Sequence, residues 1–135
     1  MISVGGFPED VILGEDMSVG ARSLMAGKHI AYVANATVYH SHNYTPIQEF
    51  RRYFDIGVFH ASSPWLLKRF GSVGDEGVRF ARSEMSYLWR YAPTFIPSAV
   101  IRTFAKWCGY KIGRLESHLP LHFKRWCSMY KAYWS

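Results

Sequence analysis

Acidic residues are nearly absent from the last third of this 135-residue chain: residues 90–135 hold one Asp or Glu against eight Lys and Arg, whereas residues 1–89 hold nine against eight. The net charge of +6 therefore resides at the C-terminal end. Cysteine is scarce as well. Cys108 and Cys127 lie 19 residues apart with no metal-type spacing, which reads as two reduced thiols in a cytosolic compartment. Long apolar runs are missing: the longest uncharged stretch, 29–48, carries three histidines, two asparagines and a glutamine, so no segment reads as membrane-spanning. The opening MISVGGFPED lacks the basic and apolar regions of a signal peptide, and none is expected. No internal repeat or low-complexity segment interrupts the chain. What it does have is hydrophobic residues, 49% of the total, enough for one domain with a real core but not for two.

Local signals order that domain. Gly5-Gly6-Phe7-Pro8 is turn material, and the apolar run Val11-Ile12-Leu13 stops at Gly14. Helical spacing of Met17, Val19, Ala21, Leu24 and Met25, with Gly27 as a stop, predicts a helix over 16–26. HIAYVANATVYH predicts two short strands, 30–33 and 37–39, broken at Ala34-Asn35-Ala36. Pro46 can open a helix through IQEFRRYFDIGVFHA, with Ile47, Phe50, Tyr53, Phe54 and Val58 on one stripe and Arg51, Arg52 and Asp55 facing elsewhere. Beyond Pro64 the chain reads as helical over 65–70, 76–91, 98–112 and 121–133, punctuated by Gly71 to Asp75, Pro93, Pro97, Gly109, Gly113 and Pro120. The expected organisation is a short α/β piece over 1–62 and a basic helical region over 63–135.

Three groups of residues could carry chemistry. Glu15-Asp16 precedes a helix, where an acid accepts backbone N–H bonds and complements the dipole for about 1 kcal/mol. The same carboxylates, held at a loop-to-helix junction, could instead take a proton from a hydroxyl in a cleft, and spacing does not separate the two. A second pair, Glu9-Asp10, opens no helix and is assigned to surface. His40 and His42, two apart on a strand, would share a face and could ligate a cation; a hydrogen-bonded or surface histidine pair is the plainer alternative. Arg51 and Arg52 suit phosphate oxygens by guanidinium geometry, or form a solvated helix face.

Taken in order, the run from Gly5 to about residue 60 resembles the C-terminal half of the catalytic domain of family 2 glycosyltransferases, in particular bacterial rhamnosyltransferase-like members. The likeness rests on the series Gly-Gly-Phe, Gly-Glu-Asp, a helix with Arg, a glycine stop, a Tyr-Val strand, Ala-x-Val-x-His and a basic helix. It implies an α/β fold, the C-terminal part of a GT-A nucleotide-sugar transferase, followed by a helical tail. Inverting chemistry is implied too, with Asp16 as general base on the acceptor hydroxyl and Glu15 shaping the acceptor pocket. His40 would complete the coordination of a divalent cation, Mg or Mn, with His42 as alternative ligand or as a hydrogen-bond donor to the diphosphate, and Arg51 and Arg52 would contact the diphosphate. QEFRR at 48–52 matches the Gln-x-x-Arg-Trp motif of processive members only in part, since Arg52 stands where Trp is expected.

The family's first half, with its Asp-x-Asp metal motif, has no counterpart here. The resemblance therefore implies an acceptor-side fragment, inactive alone, that shares its cation with residues outside the chain. Its substrates would be a nucleotide-sugar, carrying rhamnose or a similar deoxysugar, and a glycan or lipid-linked acceptor of surface polysaccharide synthesis. The expected location is cytoplasmic, open to peripheral contact with the inner face of the plasma membrane, with no nucleic acid as partner. The basic tail, rich in Trp and Tyr, also fits a rival reading: a noncatalytic module that binds membrane or nucleic acid.

Overall fold

The computed structural model describes residues 5–39, 42–71 and 74–135. Among these residues six α-helices follow one another: α1 (Glu15–Met25), α2 (Pro46–Ser62), α3 (Pro64–Phe70), α4 (Gly74–Tyr91), α5 (Ile96–Gly113) and α6 (Leu121–Cys127), with short 3-10 turns at Pro93–Phe95, Glu116–His118 and Lys131–Trp134. Among the described residues there is no strand. The expectation of an α/β, GT-A type fold is therefore overturned, and with it the strands at 30–33 and 37–39. The reason is physical. A strand satisfies its backbone by pairing with a neighbour, and β-branched residues favour strands largely through packing on a sheet surface. Among the described residues no such surface is present, and residues 28–39 lie exposed, Tyr32 at 93%.

At the centre lies α2. Its start is fixed locally: the Thr45 hydroxyl accepts the Gln48 N–H, Gln48 Oε1 accepts the Thr45 N–H at 2.8 Å, and Pro46 occupies the first turn, a reciprocal cap that satisfies two orphan donors. Farther along, Phe54, Asp55, Gly57, Val58, Phe59 and His60 are all buried and Ile56 half-buried, so α2 is enclosed from Phe54 to His60. Phe54, Val58 and Phe59 form the heart of the core, joined by Ile12, Leu13, Ala21, Leu66, Cys127 and Trp134. Burial of each such large side chain contributes roughly 1.5–3 kcal/mol.

Helix α5 is the main neighbour of α2, and glycines set the distance between them. A Cβ on Gly109 would run into the Phe50 carbonyl, one on Gly113 into the Phe54 carbonyl, and one on Gly57 into the Tyr110 carbonyl. Since these obstacles are backbone atoms, they cannot turn aside as a side chain could. The chain ends with a second departure from expectation: 121–133 is not one helix. It breaks after Cys127, where the Met129 N–H bonds to Asp55 Oδ2 at 3.0 Å and the Tyr130 N–H to Ser128 Oγ at 2.9 Å. Side-chain acceptors thus replace the helical carbonyls, and the turn that follows seats Trp134 in the core. Among the described residues, no helix is long and apolar enough to cross a membrane.

Candidate functional site

Glu15 and Asp16 form the first turn of α1 and both are exposed. Neither is the N-cap. That position belongs to Gly14, which has φ 80° and no side chain to offer. Here glycine is required twice over, because φ is positive and because a Cβ would lie 2.7 Å from the Phe59 ring, itself deep in the core. The start of α1 is thereby pressed against α2. Asp16 Oδ1 accepts the N–H of the adjacent Met17 at 2.8 Å. That bond orients the carboxylate while leaving it at the surface, and the acid also complements the helix dipole. Glu9 and Asp10 are exposed, as expected for a surface pair.

The α2 arginines face the C-terminal segment instead. The Arg51 guanidinium lies over the Trp126 ring, 5.8 Å from its centroid, and its Nε is buried with no hydrogen-bond partner. Arg52 donates to the Tyr130 hydroxyl at 3.3 Å. Among the described residues no ion pair joins either arginine to Glu15 or Asp16. His40 lies outside the described residues. The His42 ring stacks on Tyr44 at 4.8 Å, the two ring planes nearly parallel, 7° apart. Among the described residues, no three His, Cys, Asp or Glu side chains gather as they would around a metal ion. The described residues alone thus do not make up the donor set of a divalent cation.

Two buried polar groups escape a reading by stripe and motif. Asp55 is wholly buried on α2; burial pushes its carboxyl up from the usual range, opposed by hydrogen bonds from Ser128, Met129 and Tyr130 and by nearby Arg52. It acts as a clamp that ties the turn after α6 to the central helix. The neighbouring Cys127 thiol, also wholly buried, is pushed up to about 11 by burial, with Arg51 pulling it down and Asp55 adding to the rise, which makes it a poor nucleophile. His60, nearly as deep, places Nδ1 3.3 Å from the Tyr110 hydroxyl, while its carbonyl accepts from Arg114 at 3.2 Å. A signal for Asp55 exists in the sequence: Phe50, Tyr53, Phe54, Ile56, Val58 and Phe59 spread over more than one stripe, as in a helix enclosed all round.

No family model and no solved structure matches the chain. Two curated relatives do. One is the O-antigen chain rhamnosyltransferase WbaN of Salmonella anatum, 56% identical over 133 residues, which are 98% of this chain and 42% of the relative. Another is the O-antigen chain rhamnosyltransferase RfbN of Salmonella typhimurium, 54% identical over 132 residues, again 98% of this chain and 42% of the relative. The chain is thus similar, over nearly its whole length, to O-antigen chain rhamnosyltransferases, of whose length it spans well under half.

Proposed function

We propose that this chain is the acceptor-side part of an inverting rhamnosyltransferase of surface polysaccharide synthesis, and that Asp16 is its general base. The observation that carries the reading is the identity of 56% across 98% of the chain to a protein named for rhamnosyl transfer to the O-antigen chain. In this mechanism an acceptor hydroxyl gives its proton to the Asp16 carboxylate while its oxygen forms a bond to the anomeric carbon of the sugar. The bond from that carbon to the nucleoside diphosphate breaks on the opposite face. A hydroxyl is a weak nucleophile until its proton has somewhere to go, and a positioned base supplies about 10²–10⁴-fold.

The placement of Asp16 suits the role. It stands exposed at the start of an 11-residue helix, oriented by the Met17 N–H and backed by the contact between Gly14 and Phe59. Glu15, exposed beside it, is the acceptor-pocket residue. Arg51 and Arg52 belong to the side of the leaving diphosphate. The rest of the donor site lies in sequence for which this chain has no counterpart.

The test is a chimera in which the matching segment of WbaN is replaced by this chain. With a nucleoside-diphosphate rhamnose and the acceptor of that relative, Asp16→Asn should lower kcat at least 100-fold with little change in KM, while Glu15→Gln acts mainly on the acceptor KM. An Asp16→Asn chimera that retains its kcat would overturn the assignment.

A further inference from the structure

Helix α5 has two apolar faces, and α2 covers one of them. The covered face carries Ala99, Gly109 and Gly113, all buried. On the opposite side, at helical spacing, lie Val100, Ile101, Phe104 and Trp107, followed by Lys111 and, just past the helix end, Leu115; each is exposed. Phe104 is 63% and Trp107 56% exposed, and their rings stack at 6.0 Å. A row of large apolar side chains along a whole helix is not a feature that a free surface retains without use.

Charge distinguishes what could cover it. From Met85 to Leu115 there is no Asp or Glu, while Arg90, Arg102, Lys106, Lys111 and Arg114 supply five cations. Arg102 and Lys106 pair with Glu49 of α2 and Arg90 belongs to α4, which leaves Lys111 and Arg114 exposed beside the outward face, Arg114 with one N–H already given to the His60 carbonyl. These two also line, with Leu67, Tyr110 and Leu115, an open groove of about 450 Å³ at the end of the stripe. A second copy would bring like charge to like charge. An anionic lipid surface brings the opposite charge and accepts apolar rings and aliphatic side chains to headgroup depth.

We propose that the outward face of α5 is a docking surface for an anionic membrane, with Ile101, Phe104 and Trp107 inserted at the interface and Lys111 and Arg114 against lipid phosphates at the groove. The 18-residue helix, about 27 Å long, lies along the bilayer rather than through it. This inference does not depend on the rhamnosyl-transfer reading, because vesicle binding reports no chemistry.

Sedimentation of the 135-residue chain with phosphatidylcholine vesicles, with and without 30% phosphatidylglycerol, tests it. Partitioning should be at least tenfold stronger with phosphatidylglycerol at low salt and should weaken as salt is raised. The double variant Phe104→Asp, Trp107→Asp, whose side chains are exposed, should lose tenfold or more with unchanged helical circular dichroism, and Lys111→Glu should lose severalfold. Tyr32→Asp, on the exposed 28–39 segment, should bind as the parent does. Absent binding, equal binding to both vesicle types, or undiminished binding by the double variant would each overturn the proposal. So would an equilibrium-sedimentation dimer that the double variant dissolves while vesicles go unbound, which would assign the face to a second copy.

Discussion

His60 shows how a single buried side chain can set the pH response of the molecule. Burial, with the Arg114 charge second, lowers its pKa from the ordinary imidazole value of 6.5. The unfolded chain therefore takes up a proton near that value while the folded chain resists it. Stability from neutral His60 is complete above about pH 6.5 and is lost as pH falls through the lowered folded value. Asp55 has the opposite sign: its raised pKa favours the folded state at low pH, and that contribution is lost as pH rises through the raised value. Thermal melting from pH 8 to pH 5 should accordingly show a falling midpoint, and His60→Gln should flatten the fall while Asp55→Asn should not. An equally steep fall in His60→Gln would assign the acid sensitivity elsewhere. At this scale the sequence drew attention to Glu15 and Asp16, which stand beside a local signal, the Gly14 break. It passed over Asp55 and His60, whose meaning comes from Met129 and Tyr110, partners 74 and 50 residues away.

The contact between α2 and α5 is governed by small residues. Gly109→Ala places a methyl group against the Phe50 carbonyl, and separating two helices to relieve it should cost about 1–3 kcal/mol, as overpacking does. Gly77, inside α4, has nothing within 4 Å of an added Cβ, so Gly77→Ala should stabilise by about 0.5–1 kcal/mol through helix propensity and a stiffer unfolded chain. Opposite signs for two glycine-to-alanine changes, measured by urea unfolding, would separate close approach from propensity; a neutral Gly109→Ala would show that the helices can move apart freely. The helices themselves were legible because their signals are local: the Gly14 and Gly27 boundaries of α1, Pro46 at the start of α2, Pro64 at the start of α3. Three elements were not. The strands at 30–33 and 37–39 require a partner that propensity does not supply, and the helix expected over 121–133 is cut short by Asp55, which contributes an acceptor from another part of the chain.

For the whole molecule, the sharpest expectation concerns what this chain does alone. It spans 42% of relatives named for rhamnosyl transfer, and the proposed function gives the donor side to the rest of that length. The purified 135-residue protein should therefore turn over no nucleotide-rhamnose with the acceptor of those relatives, whereas the WbaN chimera should. Transfer by the isolated chain, measured as product per enzyme above the Asp16→Asn background, would show that the donor site is built here after all. By itself the sequence determined five helix positions, the C-terminal concentration of positive charge, and the carboxylate pair at the start of α1. These follow from spacing, caps and composition, which act over a few residues or simply add. Tertiary structure alone decided that residues 28–39 stay unpaired, that Arg51 and Arg52 meet Trp126 and Tyr130, that Asp55 clamps the C-terminal turn, and that α5 keeps an apolar face outward. Each of these depends on which distant surfaces come together, and that is settled by glycine close approach and the burial of Phe54 and Phe59, not by any local pattern.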